Sequence, residues 1–296
     1  MLVLKPPAGQ KTRADELVFA PDGRLAVCPS RGVAAWAALA DGARPEVVPL
    51  PDGAWATRLA FTPDGRTVFA AHARLYALDF GTREAVPVPT DAWGEPGFGV
   101  SPDGRLVVSE QPLGTADTRL TCWAVGDYAS PLWRFTTGTH IYRKPALFLP
   151  PGDRFVHPEN TLDTAARRWR TRVVTRSLAD GRVLSQSDLL PDFPDRLVLS
   201  PDGAATAAVV RERIYAGPVG GNVAAVSVAN SSKKHFTGIA FHPSGRYLAA
   251  TSNDSTVKLY DTATWELART FTWDVGRMRP IAFSPDGTLA AAGTDS

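Results

Sequence analysis

The sequence predicts an all-β fold of seven repeated four-stranded antiparallel units, and three observations carry that prediction. A Pro-Asp-Gly turn or a close variant recurs at Pro21, Pro63, Pro102, Pro150, Pro201, Pro243 and Pro285, at intervals of 42, 39, 48, 51, 42 and 42 residues. Five of the seven read Pro-Asp-Gly outright, and Pro150-Pro151-Gly152 and Pro243-Ser244-Gly245 are the variants. Alternating apolar residues precede each turn and a run of small apolar residues follows it. Such a period, with several short strands per unit, is the signature of a β-propeller, here a seven-bladed one with a four-stranded antiparallel blade per repeat.

The turn chemistry accounts for a hairpin at each site. Proline presets φ for the second position of a type I turn, aspartate tolerates the bridge conformation at the third, and glycine accepts the left-handed conformation that lets the strands pair again around a bulge. Four residues before each proline stand Leu17, Leu59, Phe98, Ala146, Leu197, Ile239 and Ile281, and two before it stand Phe19, Phe61, Val100, Phe148, Leu199, Phe241 and Phe283. Both sets fall on one face of the first strand of each unit. Second strands follow, as in Leu248-Ala249-Ala250 and Leu289-Ala290-Ala291. Pro51-Asp52-Gly53 is out of phase and lacks the alternating lead-in, so it reads as an ordinary loop turn.

Composition agrees with a single repeat domain spanning residues 1–296. Apolar residues make up 44% of the chain, enough for a buried core, and blades that touch only their neighbours allow a long domain. A net charge of +2 supplies no global field toward nucleic acid or a membrane. Cys28 and Cys122 lie in unrelated repeats outside any Cys-x-x-Cys motif and read as buried reduced thiols. The amino-terminal stretch Met1–Pro7 lacks the apolar core of a secretory signal and no stretch approaches bilayer-spanning length, so a cytoplasmic location is expected. Arginine outnumbers lysine 26 to 6 and alanine is abundant, which points to a GC-rich, bacterial genome.

The segment Ile239-Ala240-Phe241-His242-Pro243-Ser244-Gly245-Arg246-Tyr247-Leu248-Ala249-Ala250-Thr251-Ser252-Asn253-Asp254-Ser255-Thr256-Val257-Lys258-Leu259-Tyr260-Asp261 resembles a WD-repeat blade, with Tyr260-Asp261 where the Trp-Asp dipeptide usually stands. Elsewhere the third strand is degenerate, as in Ala35-Trp36-Ala37, Leu75–Asp79, Leu120–Ala124, Arg172–Thr175 and Arg213–Ala216. The Gly-His pair that precedes the first strand in the family is absent, so the family's Asp-His-Ser/Thr-Trp network is incomplete in every blade, and packing is expected to hold the blades together. Ring closure is expected from the termini. Only eleven residues follow Pro285, so Leu2–Leu4 is expected to pair into the last blade, which would still lack one strand. Deletion of residues 1–8 would then lower the melting temperature.

The long intervals locate two inserts, around Gln111–Thr115 and His157–Thr161, that are expected to be loops. Beyond the second lies Arg167–Arg176, on which Arg168, Arg170 and Arg172 point one way and Trp169, Thr171 and Val173 the other. This is the pattern of a solvated strand with one buried face, and also of an anion patch for phosphate, RNA or an acidic protein segment. Six residues before Phe61, Phe148, Leu199 and Phe241 stand Trp55, Tyr142, Phe193 and His235, with Arg13 and Arg277 in the same phase of the first and last repeats. The phase places all six where the chain turns inward to an innermost strand, at the mouth of the central channel. Resemblance to WD-repeat proteins implies that this rim grips peptides, and Trp, Tyr and Arg are common interface anchors. The rings could equally pack between blades.

Enzymatic readings need convergent groups that the sequence does not set out. Lactonase-type propellers share Pro-Asp-Gly hairpins, but here His72, His140, His157, His235 and His242 are scattered, with no pair at metal-ligand spacing. There is no Gly-x-Ser-x-Gly elbow and no phosphate-cradling glycine loop. The expectation is a monomeric, non-catalytic protein-interaction scaffold without cofactor or metal, binding a protein or peptide rather than nucleic acid or membrane. The alternatives are a lactonase-type hydrolase and an anion- or RNA-binding propeller using the Arg167–Arg176 strand.

Overall fold

The computed structural model describes residues 16–28, 32–37, 39–40, 43–51, 56–71, 73–90, 95–114, 117–139, 145–164, 167–272 and 276–294. The first blade pairs β1 (Leu17–Phe19), β2 (Leu25–Val27), β3 (Val33–Trp36) and β4 (Glu46–Val48). The second pairs β5 (Arg58–Phe61), β6 (Thr67–Ala71), β7 (Leu75–Asp79) and β8 (Ala85–Val88). The third contains β9 (Gly97–Val100), β10 (Leu106–Leu113), β11 (Asp117–Ala124) and β12 (Trp133–Thr137), and the fourth β13 (Leu147–Leu149), β14 (Arg154–Asp163), β15 (Arg168–Ser177) and β16 (Val183–Gln186). The fifth contains β17 (Arg196–Leu199), β18 (Ala205–Val210), β19 (Arg213–Pro218) and β20 (Val226–Ala229), and the sixth β21 (Phe236–Phe241), β22 (Tyr247–Ser252), β23 (Thr256–Asp261) and β24 (Leu267–Thr272). A two-stranded sheet follows, β25 (Met278–Phe283) with β26 (Ala290–Thr294).

Each blade is an antiparallel meander in sequence order. The expected seven four-stranded blades are therefore corrected to six, with a two-stranded sheet in seventh place among the described residues. The repeated turn marks only the hairpin between the first and second strands of a unit, and so cannot report whether a third and fourth follow. No closed sheet is seen among the described residues, and the expected pairing of Leu2–Leu4 lies outside them. The innermost strands β1, β5, β9, β13, β17, β21 and β25 each pack on the next, and β25 packs on β1. Ala282 and Ala291 of the last sheet join the apolar cluster of Leu17, Leu25, Val27, Ala34 and Trp36.

Meander topology puts the first turn of every blade on one end of the molecule, the turn face. The second hairpin and the connection to the next blade lie on the other, the loop face. On the turn face the residue before proline completes the motif. The hydroxyls of Thr62, Ser101, Ser200 and Ser284 donate to Asp64, Asp103, Asp202 and Asp286 at 2.6, 2.6, 2.6 and 2.5 Å. These hydrogen bonds hold the four exposed carboxyls below the usual range. Successive turns also interlock. A Cβ on Gly104 would fall 2.9 Å from Pro63 Cδ and one on Gly203 2.5 Å from Pro150 Cδ, so the proline of one blade fills the notch left by the glycine of the next.

On the loop face Gln111–Leu113 of the first insert and all of the second, His157–Thr161, are strand rather than the expected loop, and Thr115 lies outside the described residues. The β10–β11 hairpin pairs rung by rung from Leu106↔Ala124 to Leu113↔Asp117, and β14–β15 from Arg154↔Ser177 to Asp163↔Arg168. Continuous cross-strand pairing overrides the weak strand propensity of Pro112, Pro158 and Asn160. Between these blades Val108, Leu120 and Cys122 pack on Ala146, Phe155 and Leu178. Both cysteines are buried. Packing does not act alone in the sixth blade. There Asp254 accepts hydrogen bonds from Lys258 Nζ at 2.8 Å and Thr256 Oγ1 at 2.5 Å. Burial alone would raise the Asp254 carboxyl, but these bonds overcome it and hold the group below its ordinary range.

Candidate functional site

A central cavity of about 390 Å³ runs between the innermost strands. Its walls are largely apolar, with Leu59, Phe98, Phe148, Leu197, Ile239 and Ile281 among them. At the loop-face end each innermost strand begins, and there Glu16, Arg58, Asp195 and Arg196 line the cavity. Arg58 lies 4.0 Å from Glu16. Burial pulls its guanidinium below the ordinary value, an effect opposed by Glu16 and reinforced by Arg196.

Beside this mouth, between the third and fourth blades, lies a polar cluster that the sequence reading did not pick out. Glu110 on β10 and His157, Glu159 and Arg176 on β14 and β15 are all buried. Arg176 Nε donates to His157 Nε2 at 2.8 Å, Nη2 to Glu159 Oε1 at 2.6 Å, and Nη1 to the Gly181 carbonyl at 2.9 Å. Because Nε2 accepts, the imidazole carries its proton on Nδ1, which faces Glu110 Oε1 at 3.6 Å. Among the described residues neither carboxyl oxygen of Glu110 has a hydrogen-bond partner. The guanidinium also sits 4.8 Å over the Phe135 ring, which closes the cluster from below.

Burial raises Glu110 well above the ordinary glutamate value, with Arg58 and Arg176 opposing and Glu159 adding. Burial pushes His157 well below the ordinary histidine value, and Arg176 adds to it. The two groups give stability opposite pH slopes. A raised Glu110 contributes most below about pH 4.3, its value when unfolded, and its contribution is lost as pH rises. A depressed His157 contributes above about pH 6.5 and its contribution is lost as pH falls. Glu110→Gln is therefore expected to stabilise the protein by about 1–3 kcal/mol at neutral pH, with the gain shrinking toward pH 4. Thermal melts of both proteins from pH 4 to 8 test this, and a variant no more stable than wild type at pH 8 would show that Glu110 is a well-paired carboxylate.

Of the rim residues read from the sequence, Arg13, Trp55 and Tyr142 lie outside the described residues. His235 and Arg277 are exposed, and both contact Asn253, His235 through its backbone carbonyl and Arg277 through its side chain. The Asn253 backbone N–H donates to the His235 carbonyl at 3.0 Å, and Arg277 Nε donates to Asn253 Oδ1 at 2.6 Å. Phe193 stands apart from them, half-buried against Trp169 with ring centroids 5.2 Å apart. Along the arginine strand Arg168 is exposed, Arg170 lies 3.6 Å from Asp163, and Arg172 donates to Gln186. Thr171 and Val173 are buried on the other face.

The polar cluster left one signal in the sequence. His157 and Glu159 fall in alternation with Phe155, and so on the same strand face as a buried ring. Among the described residues no group of three or more His, Cys, Asp or Glu is placed to hold a metal ion. No helix among them is long and apolar enough to cross a membrane.

Residues 226–261 match the family model described as WD domain, G-beta repeat. A comparison with curated proteins found no match. The matched span starts on β20, the outer strand of the fifth blade, and ends with Tyr260-Asp261 on β23, so it covers the connection between blades and three strands of the sixth. That repeat is similar to a WD-repeat blade, and it is set among six four-stranded antiparallel blades around one channel, the architecture of a β-propeller.

Proposed function

We propose that the protein is a non-catalytic interaction scaffold that holds a protein or peptide partner on its loop face. The observation that carries this reading is that Arg277, from the last sheet, reaches Asn253 on the sixth blade, whose backbone N–H binds the carbonyl of the exposed His235 on the same loop face. A rigid ring can offer a partner contacts that no single loop supplies, and function in such folds lives in the connections it positions. The turn face offers less, because its turns are short and locked into one another. Engagement of Arg170 by Asp163 and of Arg172 by Gln186 favours a protein partner over RNA. In this reading the chain acts as one domain, a cytoplasmic monomer without cofactor.

Affinity capture from native lysate with wild type and with His235→Ala/Arg277→Ala tests the proposal, once circular dichroism has shown both to be folded. A partner retained by wild type and weakened at least about tenfold by the double variant is expected, since interface anchors typically contribute more than about 1 kcal/mol each. Equal recovery by both proteins would remove the site from this rim.

A further inference from the structure

Among the described residues the β14–β15 ribbon is the longest hairpin, ten residues on each strand, and its outer half rises beyond its neighbour. In the fifth blade β18 and β19 are six residues each and turn at Arg211-Glu212, so they end short of it. Toward that blade the ribbon presents Leu162, 50% exposed, and its cross-strand partner Trp169. Phe193, from the connection after β16, packs on the indole and extends the same apolar surface. On the opposite face and at the tip stand Arg167, Arg168 and Arg170, the first two exposed.

At the tip of the ribbon the unpaired charge is positive, although Asp188 and Glu212 lie on the connection and the fifth-blade turn nearby. Asp163 is engaged by Arg170 at 3.6 Å, and Asp192 by Arg211 at 3.1 Å. Arg167 and Arg168 make no ion pair among the described residues, so they set the sign of the tip. Two strands are only about 5 Å apart, so a chain segment crossing the edge of the ribbon meets the arginines and the apolar surface together.

Resting on the scaffold reading, we propose that this ribbon is a docking site for a linear acidic segment of a partner protein. A large apolar side chain of that segment packs on Leu162, Trp169 and Phe193, and flanking Asp or Glu residues meet Arg167 and Arg168. Aromatic rings supply the anchor and the guanidinium groups supply selection and steering, which makes binding salt-dependent. A basic or purely polar segment gains neither contact.

Selection of a phage-displayed random twelve-residue peptide library on the full-length chain tests the proposal, followed by fluorescence anisotropy of the enriched peptides. Peptides that combine Asp or Glu with a large apolar residue are expected. Their affinity should fall at least about tenfold for Trp169→Ala and for Arg168→Glu, and fall with added salt. Arg168 is exposed at the tip, so its variant reports binding even if loss of Trp169 disturbs the ribbon. Enriched peptides without acidic residues, or insensitive to both ribbon variants, would overturn the docking site. If they were instead lost with the rim variant, the scaffold reading would survive without it. No enrichment over the bare support would also overturn the ribbon site, and the lysate capture would then judge the scaffold reading separately.

Discussion

Arg176→Leu is expected to destabilise the protein by on the order of 3–5 kcal/mol, the cost of removing one partner from a buried ion pair. In a chain of this size that corresponds to a fall of roughly 10 °C in melting temperature. Three hydrogen bonds leave with the guanidinium, those to His157, Glu159 and the Gly181 carbonyl. Glu159 would remain as a buried carboxylate, and His157 would lose the donor that fixes its tautomer. Both lie where the fourth blade packs on the third, so the loss falls on a contact between blades rather than within one. Arg176→Leu/Glu159→Leu should recover most of the stability, because replacing both members of a buried pair with apolar groups is often neutral. Urea melts of wild type and the two variants decide the matter. An unchanged midpoint for the single variant would show that water already reaches Glu159 and that apolar packing alone joins these blades.

The sequence made the blades legible because their marker is local. A Pro-Asp-Gly turn closes a hairpin with residues five apart, and alternation with period two assigns the faces of the strands beside it. What the turns do to one another is not local. The notch at Gly104 is filled by Pro63 and that at Gly203 by Pro150, and only the folded ring brings those pairs together. The two long intervals were legible as extra chain but not as extra strand, since Pro112 in one segment and Pro158 and Asn160 in the other argue for loops until eight and ten consecutive rungs of pairing outweigh them.

The candidate site divides along the same line. Phase alone placed His235, Arg277 and Phe193 at equivalent positions of different repeats, and phase carries no information about side-chain neighbours. The Arg277 side chain therefore reaches Asn253 while Trp169 packs on Phe193, and His235 meets Asn253 only through its backbone carbonyl. Glu110, His157 and Arg176 come from three strands of two blades, so their meeting could not be read from any window of sequence. A scattered histidine was indeed all that His157 offered until its neighbours were in place.

Gly99→Ala is expected to be the most disruptive single methyl group in the innermost layer. Gly99 lies on β9, and a Cβ there would stand 1.8 Å from the Ala146 carbonyl oxygen, 2.8 Å from its carbon and 3.2 Å from a ring carbon of Phe148. The obstacle is backbone, so no rotamer change relieves it. The third and fourth blades would have to separate by more than about 1 Å to restore ordinary contact distances. That movement opens the apolar layer of Val108, Leu120 and Phe155, and the buried polar cluster above it. The cost is expected at or beyond the upper end of the about 1–3 kcal/mol usual for overpacking. Gly138→Ala supplies the control, because a Cβ at Gly138 meets nothing within 4 Å. Both variants carry the same added methyl and the same change in backbone freedom, so the difference between their melting temperatures isolates the clash. Hydrogen exchange should locate it, with protection lost in β9 and β13 before β21 and β22. Equal melting temperatures would mean that the third and fourth blades are not held at the distance on which the cluster and the ribbon above it depend.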